Sequence, residues 1–112
     1  MKNKIHYSRK SRRDLDEIWD YIVSELQNIS AAERAVNRIM DAVDQLEDFA
    51  EIGAPLSSVA DVDSDYRFLV SGSYMVFYRA IGKDVFVDRV MYGRRNYLRI
   101  LLGDAAPEDT TE

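Results

Sequence analysis

Few residues in this 112-residue chain can do chemistry, and most of those are arginines. His6 is the single histidine, the residue type most often used for general acid–base work near neutrality. It sits on a short β-forming stretch just ahead of a helical pattern, with no second histidine and no paired carboxylate nearby in sequence. A surface or edge-strand role is therefore the better reading. There is no cysteine, which excludes disulfides, thiolate zinc sites and cysteine nucleophiles. No metal or cofactor site is expected. Two groups of arginines stand out as candidates: Arg67 and Arg79 in strand-like segments, and Arg94, Arg95 and Arg99 after Gly93. A planar guanidinium grips carboxylates through paired hydrogen bonds, so the second group suits an acidic partner segment. For the first group a partner role and simple pairing with Asp88 both stay open.

Two amphipathic helices and a meander must position these side chains. Residues 4–7 read as a first strand. Leu15, Ile18, Trp19, Ile22, Val23 and Leu26 then recur at steps of three and four among acids, predicting a helix over about 9–27. Ser30-Ala31-Ala32-Glu33 has the form of a capping box, and Ala32, Val36, Ile39, Val43, Leu46 and Ala50 continue one stripe behind it. A two- or three-residue turn between the helices makes them an antiparallel hairpin. Gly53, Pro55 and the polar run 57–65 form a connection. The period then becomes two, and 66–70, 74–80 and 85–92 read as antiparallel strands joined at Ser71-Gly72-Ser73 and Gly82-Lys83. Residues 95–102 suit a last short helix.

The resulting expectation is an α+β domain, β-α-α-β-β-β, with a helix hairpin packed on a small antiparallel sheet and a short C-terminal helix. Residues 1–103 form one domain, and the acidic 104–112 a flexible tail. With Val70 paired to Tyr74 and Ile81 to Asp84, one sheet face carries Arg67, Leu69, Met75, Phe77, Arg79, Phe86, Asp88 and Val90. The other carries Tyr66, Phe68, Val70, Tyr74, Val76, Tyr78, Val85, Val87 and Met91 and meets the helices.

Apolar residues make up 46% of the chain, enough for one core and too many for a disordered chain. No apolar stretch is long enough for a signal peptide core or a membrane span, so a soluble cytoplasmic protein without a membrane partner is expected. The net charge of −5 is segregated. Residues 1–13 hold six Lys/Arg and no acid; residues 14–65 hold fourteen acids and two arginines; residues 66–103 hold seven basic residues and two acids. Such blocks orient the field of the whole molecule.

Four landmarks appear in order along this plan. They are Tyr7 with Asp14-Leu15 and Ile18-Trp19-Asp20-Tyr21-Ile22; Ile52-Gly53-Ala54-Pro55; Tyr66-Arg67-Phe68-Leu69 leading to Gly72-Ser73-Tyr74-Met75-Val76-Phe77-Tyr78-Arg79; and residues 87–97, Val87-Asp88-Arg89-Val90-Met91-Tyr92-Gly93-Arg94-Arg95-Asn96-Tyr97. Together, over about residues 4–102, they resemble the RelE/ParE superfamily of type II toxins. The resemblance implies a toxin neutralised by a cognate antitoxin. It implies one of two activities: mRNA cleavage on the ribosome, or inhibition of DNA gyrase by binding.

Cutting RNA through its 2′-hydroxyl requires a base, cations for the phosphorane and an acid for the leaving oxygen. Against the RelE-like pattern, Arg67 and Arg95 match cationic positions. Leu69 and Met75 stand where a lysine and an arginine are expected, and Leu101 replaces a tyrosine for which Tyr97 is the substitute. Arg67, Arg95 and Tyr97 are thus the catalytic candidates of an endoribonuclease reading. A sequence pI near 4.9 is low for a protein that grips ribosomal RNA. The residues favour a ParE-like toxin that binds gyrase. A RelE-like interferase and a non-toxic antitoxin-binding module are the alternatives. The resemblance further implies an antitoxin tail that folds along the sheet edge and apolar face. Candidate residues for holding antitoxin or target are Trp19, Tyr21, Arg67, Phe77, Arg79, Arg94, Arg95 and Arg99.

Overall fold

The change of period along the chain becomes a helix hairpin followed by a meander in the computed structural model, which describes residues 2–60, 63–93 and 97–103. Strand β1 (Lys4–Tyr7) leads into helix α1 (Arg9–Leu26) and helix α2 (Ile29–Asp44), which tightens into a 3-10 turn at Gln45–Glu47. Strands β2 (Ala54–Pro55), β3 (Arg67–Ser71), β4 (Tyr74–Ile81) and β5 (Asp84–Tyr92) follow, and helix α3 (Tyr97–Leu102) closes the order. The sheet runs β1-β5-β4-β3-β2, with β1 parallel to β5 and the other neighbours antiparallel. This is the expected α+β arrangement, with a two-residue strand added inside the segment read as a connection. No helix among the described residues is long and apolar enough to cross a membrane.

Local chemistry explains the boundaries. The Ser8 hydroxyl caps α1 by accepting from the Ser11 amide at 3.0 Å, and it also donates to the Asp88 carbonyl at 2.8 Å, tying the helix start to β5. Gln27 turns the chain with φ of 50°, and Asn28, not Ser30, caps α2 through a 3.0 Å bond from the Ala31 amide. The capping box is corrected by two residues, because the Asn28 carboxamide reaches the free amide first and Ser30 falls within the first turn. Both hairpin turns begin on a glycine at positive φ, Gly72 and Gly82, as a two-residue turn with positive φ at its first position requires.

Burial of the apolar stripes holds the layers together. Ile18 and Ile22 of α1 and Ala32, Ile39 and Val43 of α2 pack on Val76, Tyr78, Val85, Val87 and Val90 of the sheet. A fully buried aliphatic contributes about 1.5–3 kcal/mol, more than helix propensity supplies over a turn. The opposite face of the sheet is covered too. Leu56, Phe77 and Met91 are buried there, with Leu98, Ile100, Leu101 and Leu102 of α3 packed against them. The helices therefore lie on both faces.

The register differs from the expected one in two places. Ser71, not Val70, pairs with Tyr74, because the turn uses two residues and not three. That one-residue slip moves Arg67 and Leu69 to the hairpin side and Phe68 and Val70 to the α3 side. Between Phe77 and Tyr78 the β4–β5 register also shifts: Tyr78 faces Val87 while Phe77 faces Arg89, so Asp88 is the extra residue of a bulge. Val90 and Met91 exchange faces as a result. Arg67 and Arg79 thus do not share a face.

Candidate partner-binding site

A cleft of about 240 Å3 opens where the start of α1, the bulge of β5 and α3 meet, lined by Ser8, Lys10, Tyr66, Asp88, Arg89 and Leu101 among others. The bulge aims Asp88 into it. Arg79 Nε donates to Asp88 Oδ2 at 3.0 Å, and its guanidinium carbon lies 5.5 Å from the centroid of the Tyr66 ring. Burial, the hydrogen bond to Asp88 and that carboxylate's charge push the Tyr66 phenol up to about 12. Its unfolded value is near 10, so the unfolded chain loses this proton first as pH rises. The neutral phenol's contribution to stability is complete below pH 10 and is lost between about 10 and 12. Tyr66→Phe is expected to flatten the alkaline fall in melting temperature over that window; an unchanged fall would show that Tyr66 does not titrate late.

Arg89 is held more tightly. Its Nε donates to Asp14 Oδ2 at 2.7 Å and its Nη2 to Asp14 Oδ1 at 2.9 Å, while the Val90 amide donates to Oδ2 at 2.9 Å. Hydrogen bonding to this carboxylate raises the Arg89 pKa further, against the effect of its own burial. Asp14 is only 6% exposed. Arg79 and Arg89 are thus each matched by a carboxylate, and Lys10 is the lining cation without one among the described residues.

The other predicted residues are placed as follows. Arg67 is used structurally: its Nη1 donates to the Gly53 carbonyl at 2.7 Å and to Glu51 at 3.4 Å. It shares that loop with Tyr78, whose hydroxyl accepts from the Gly53 amide at 2.9 Å and donates to the Ala50 carbonyl at 2.8 Å. The loop so held presents Phe49 and Ile52 to solvent. Phe77 is fully buried beneath α3 and is no surface anchor. The expectation that placed it on a partner face is corrected by the extra layer that α3 supplies. Trp19 is half-buried against the hairpin core, Tyr21 is 61% exposed, and Arg99 is exposed on α3. Arg94 and Arg95 lie outside the described residues, as does the side chain of Tyr97. His6 binds Asp84 at 2.9 Å and stacks on Phe86 at 5.0 Å, on the β1 edge, and does not line the cleft.

Two features escaped the sequence reading. Asp14 stands four residues before Ile18 and eight before Ile22, so helical spacing alone puts it on the buried stripe. A carboxylate there signals a buried cation partner. Tyr74 and Tyr92 meet edge-on at 6.1 Å, and Tyr21 lies within electrostatic reach of Tyr74. Beside this cluster β2 pairs only with Arg67 and Phe68, leaving the outer backbone edge of residues 69–71 open among the described residues, with Val70 64% exposed. An open strand edge next to exposed aromatic rings is the geometry of a strand-adding protein interface. Fold and site together describe a small α+β domain with an open strand edge among the described residues.

Comparison with known proteins agrees. Residues 5–97 match the family model of the ParE toxin of the type II toxin–antitoxin system parDE. Toxin ParE1 of Caulobacter vibrioides is 30% identical over 89 residues, covering 80% of this chain and 88% of that protein. A solved structure described as the chromosomal ParDE TA system from P. aeruginosa superposes with a TM-score of 0.66 at 26% identity, over 80% of this chain and 95% of that one. The chain belongs to the ParE toxin family of type II toxin–antitoxin systems.

Proposed function

We propose that this toxin acts in the cytoplasm by binding DNA gyrase and cuts no RNA, and that a cognate antitoxin neutralises it by adding a strand at residues 69–71. The observation that carries the reading is the pairing of cations beside the cleft. Arg79 is neutralised by Asp88 and Arg89 by Asp14, so neither has free charge for a phosphorane. Arg67 is bound to loop carbonyls, Leu69 packs into the hairpin core and Met75 lies under α3. The antitoxin reading is supported by the open edge, by Val70 and by the neighbouring Tyr21, Tyr74 and Tyr92. Rigid aromatic rings of this kind are the usual anchors of protein interfaces. The gyrase reading is supported by family membership and by the mismatch with RNA chemistry.

Induced expression in a bacterium separates the activities. DNA-damage induction with intact mRNA is the expected result; codon-linked cuts on translating ribosomes would sink the gyrase reading and point to Arg67, Arg95 and Tyr97. Absence of toxicity would leave a module that only sequesters antitoxin. Arg95→Ala is expected to reduce toxicity about tenfold or more, as for a lost charged contact, without changing the melting temperature. Full toxicity in that variant would remove Arg95 from the site.

A further inference from the structure

Packing and the open strand edge leave a basic surface at the start of α1 unused. Arg9, Lys10, Arg12 and Arg13 are all exposed in the first five residues of α1. None of the four side chains makes an ion pair or hydrogen bond among the described residues. On a helix, positions 9, 12 and 13 are neighbours and 10 stands beside 13, so the four form one patch opposite the buried Ser11 and Asp14.

The place is electrostatically poor for them. The N-terminal end of a helix carries partial positive charge, and this first turn holds no acid. Asp16 and Glu17 follow one turn later and pair with none of the four, and base before acid at i, i+4 is the weaker order. Four unpaired cations kept where the helix would be more stable without them break a local rule, and such breaks mark function. A polyanionic ligand would supply the negative charge that this end of the helix lacks.

What the patch lacks identifies that ligand. No large apolar side chain is exposed between residues 2 and 20, so there is no anchor for a protein partner. No large aromatic side chain is exposed there for unpaired bases to stack on, and the His6 ring is already stacked on Phe86. Cations alone suffice for a phosphate backbone, and a duplex offers the densest row, about one charge per 1.7 Å of axis. A patch spanning one helical turn meets several phosphates only at that density. The acid-rich stretch of α1 begins only at Asp16, beyond the patch. The oriented field thus lets the basic end approach DNA despite a net charge of −5.

We propose that Arg9, Lys10, Arg12 and Arg13 form a docking patch for the phosphate backbone of duplex DNA that reads no sequence. The proposal does not rest on the gyrase reading, since the patch acts on DNA whatever the protein target.

The test is fluorescence anisotropy of the full chain with a labelled duplex of about 30 base pairs, titrated from about 50 to 200 mM salt. Four phosphate contacts predict a log–log salt slope of about −3.6, a loss of roughly 100-fold across that range. The variant R9Q/K10Q/R12Q/R13Q is expected to bring the slope toward zero while its melting temperature stays equal or rises, because the clash with the helix dipole is gone. If that variant melts early, R9Q/R12Q and K10Q/R13Q are each expected to shift the slope by about two. The proposal fails if the glutamine variants keep the parent slope, or if the parent shows no salt-sensitive binding at about 50 mM. It fails equally if the parent holds polyglutamate or single-stranded RNA of equal length as tightly as the duplex.

Discussion

Asp14→Ala is expected to cost about 3–5 kcal/mol of folding stability, the largest effect of any single substitution considered for this chain. The carboxylate accepts three hydrogen bonds, two from Arg89 and one from the Val90 amide, and is 6% exposed. Removing it leaves a guanidinium and a backbone amide without acceptors, in a place where water reaches poorly. Because the charge of Arg89 stays behind, the loss exceeds what the pair itself contributes. In a domain of this size the expected fall in melting temperature is roughly 10–20 °C. Asp14→Asn keeps one acceptor oxygen for the Val90 amide and is expected to lose less. Denaturant melts decide the matter: a loss below about 1 kcal/mol for Asp14→Ala would mean that the pair is solvated like a surface bridge.

The second large effect lies at the other end of the sheet. A Cβ added at Gly53 would stand 2.6 Å from the Tyr78 hydroxyl, 2.7 Å from its ring and 2.8 Å from the Phe68 carbonyl. None of the three can yield cheaply, since Tyr78 is fully buried and the Phe68 carbonyl belongs to β3. Gly53→Ala is therefore expected to destabilise by about 1–3 kcal/mol or more through overpacking. It also pushes the loop off the bonds from Tyr78 and Arg67, so the peptide at residues 50–53 should exchange its amide hydrogens faster. Equal stability and unchanged exchange would show that β2 and the loop shift freely. Here glycine is required for close approach; its φ is ordinary, unlike those of Gly72 and Gly82.

Much of the fold was legible because its signals are local. The 3-4 spacing from Leu15 to Leu26 and from Ala32 to Ala50 marks a buried stripe on each helix. Helix α1 lies where that spacing puts it, while α2 ends at Asp44 and a 3-10 turn at 45–47 carries Leu46, short of Ala50. Alternation over 74–80 and 85–92 gave the strands within a residue. The site was less legible. Arg67 looked like a functional cation and holds a loop; Phe77 looked like a partner contact and lies beneath α3. Both misplacements follow from the length of one turn and the side on which one short helix packs, and neither is marked in composition. Asp14 reads in sequence as one more acid off the apolar stripe, although its spacing to Ile18 and Ile22 marks a buried position, and its partner lies 75 residues away.

The sequence by itself determined the residues that can do chemistry, the two helices, the meander, the apolar residues at 69, 75 and 101, and the segregation of charge. These depend on neighbours a few positions apart, where period, turn residues and counting suffice. Only the tertiary structure decided which arginines carry free charge. That outcome turns on a one-residue register slip, a bulge at Asp88 and ion pairs between distant elements. Arg79 and Arg89 are spent on carboxylates, and the cations left unpaired among the described residues include those at the start of α1, where the helix itself is least suited to hold them.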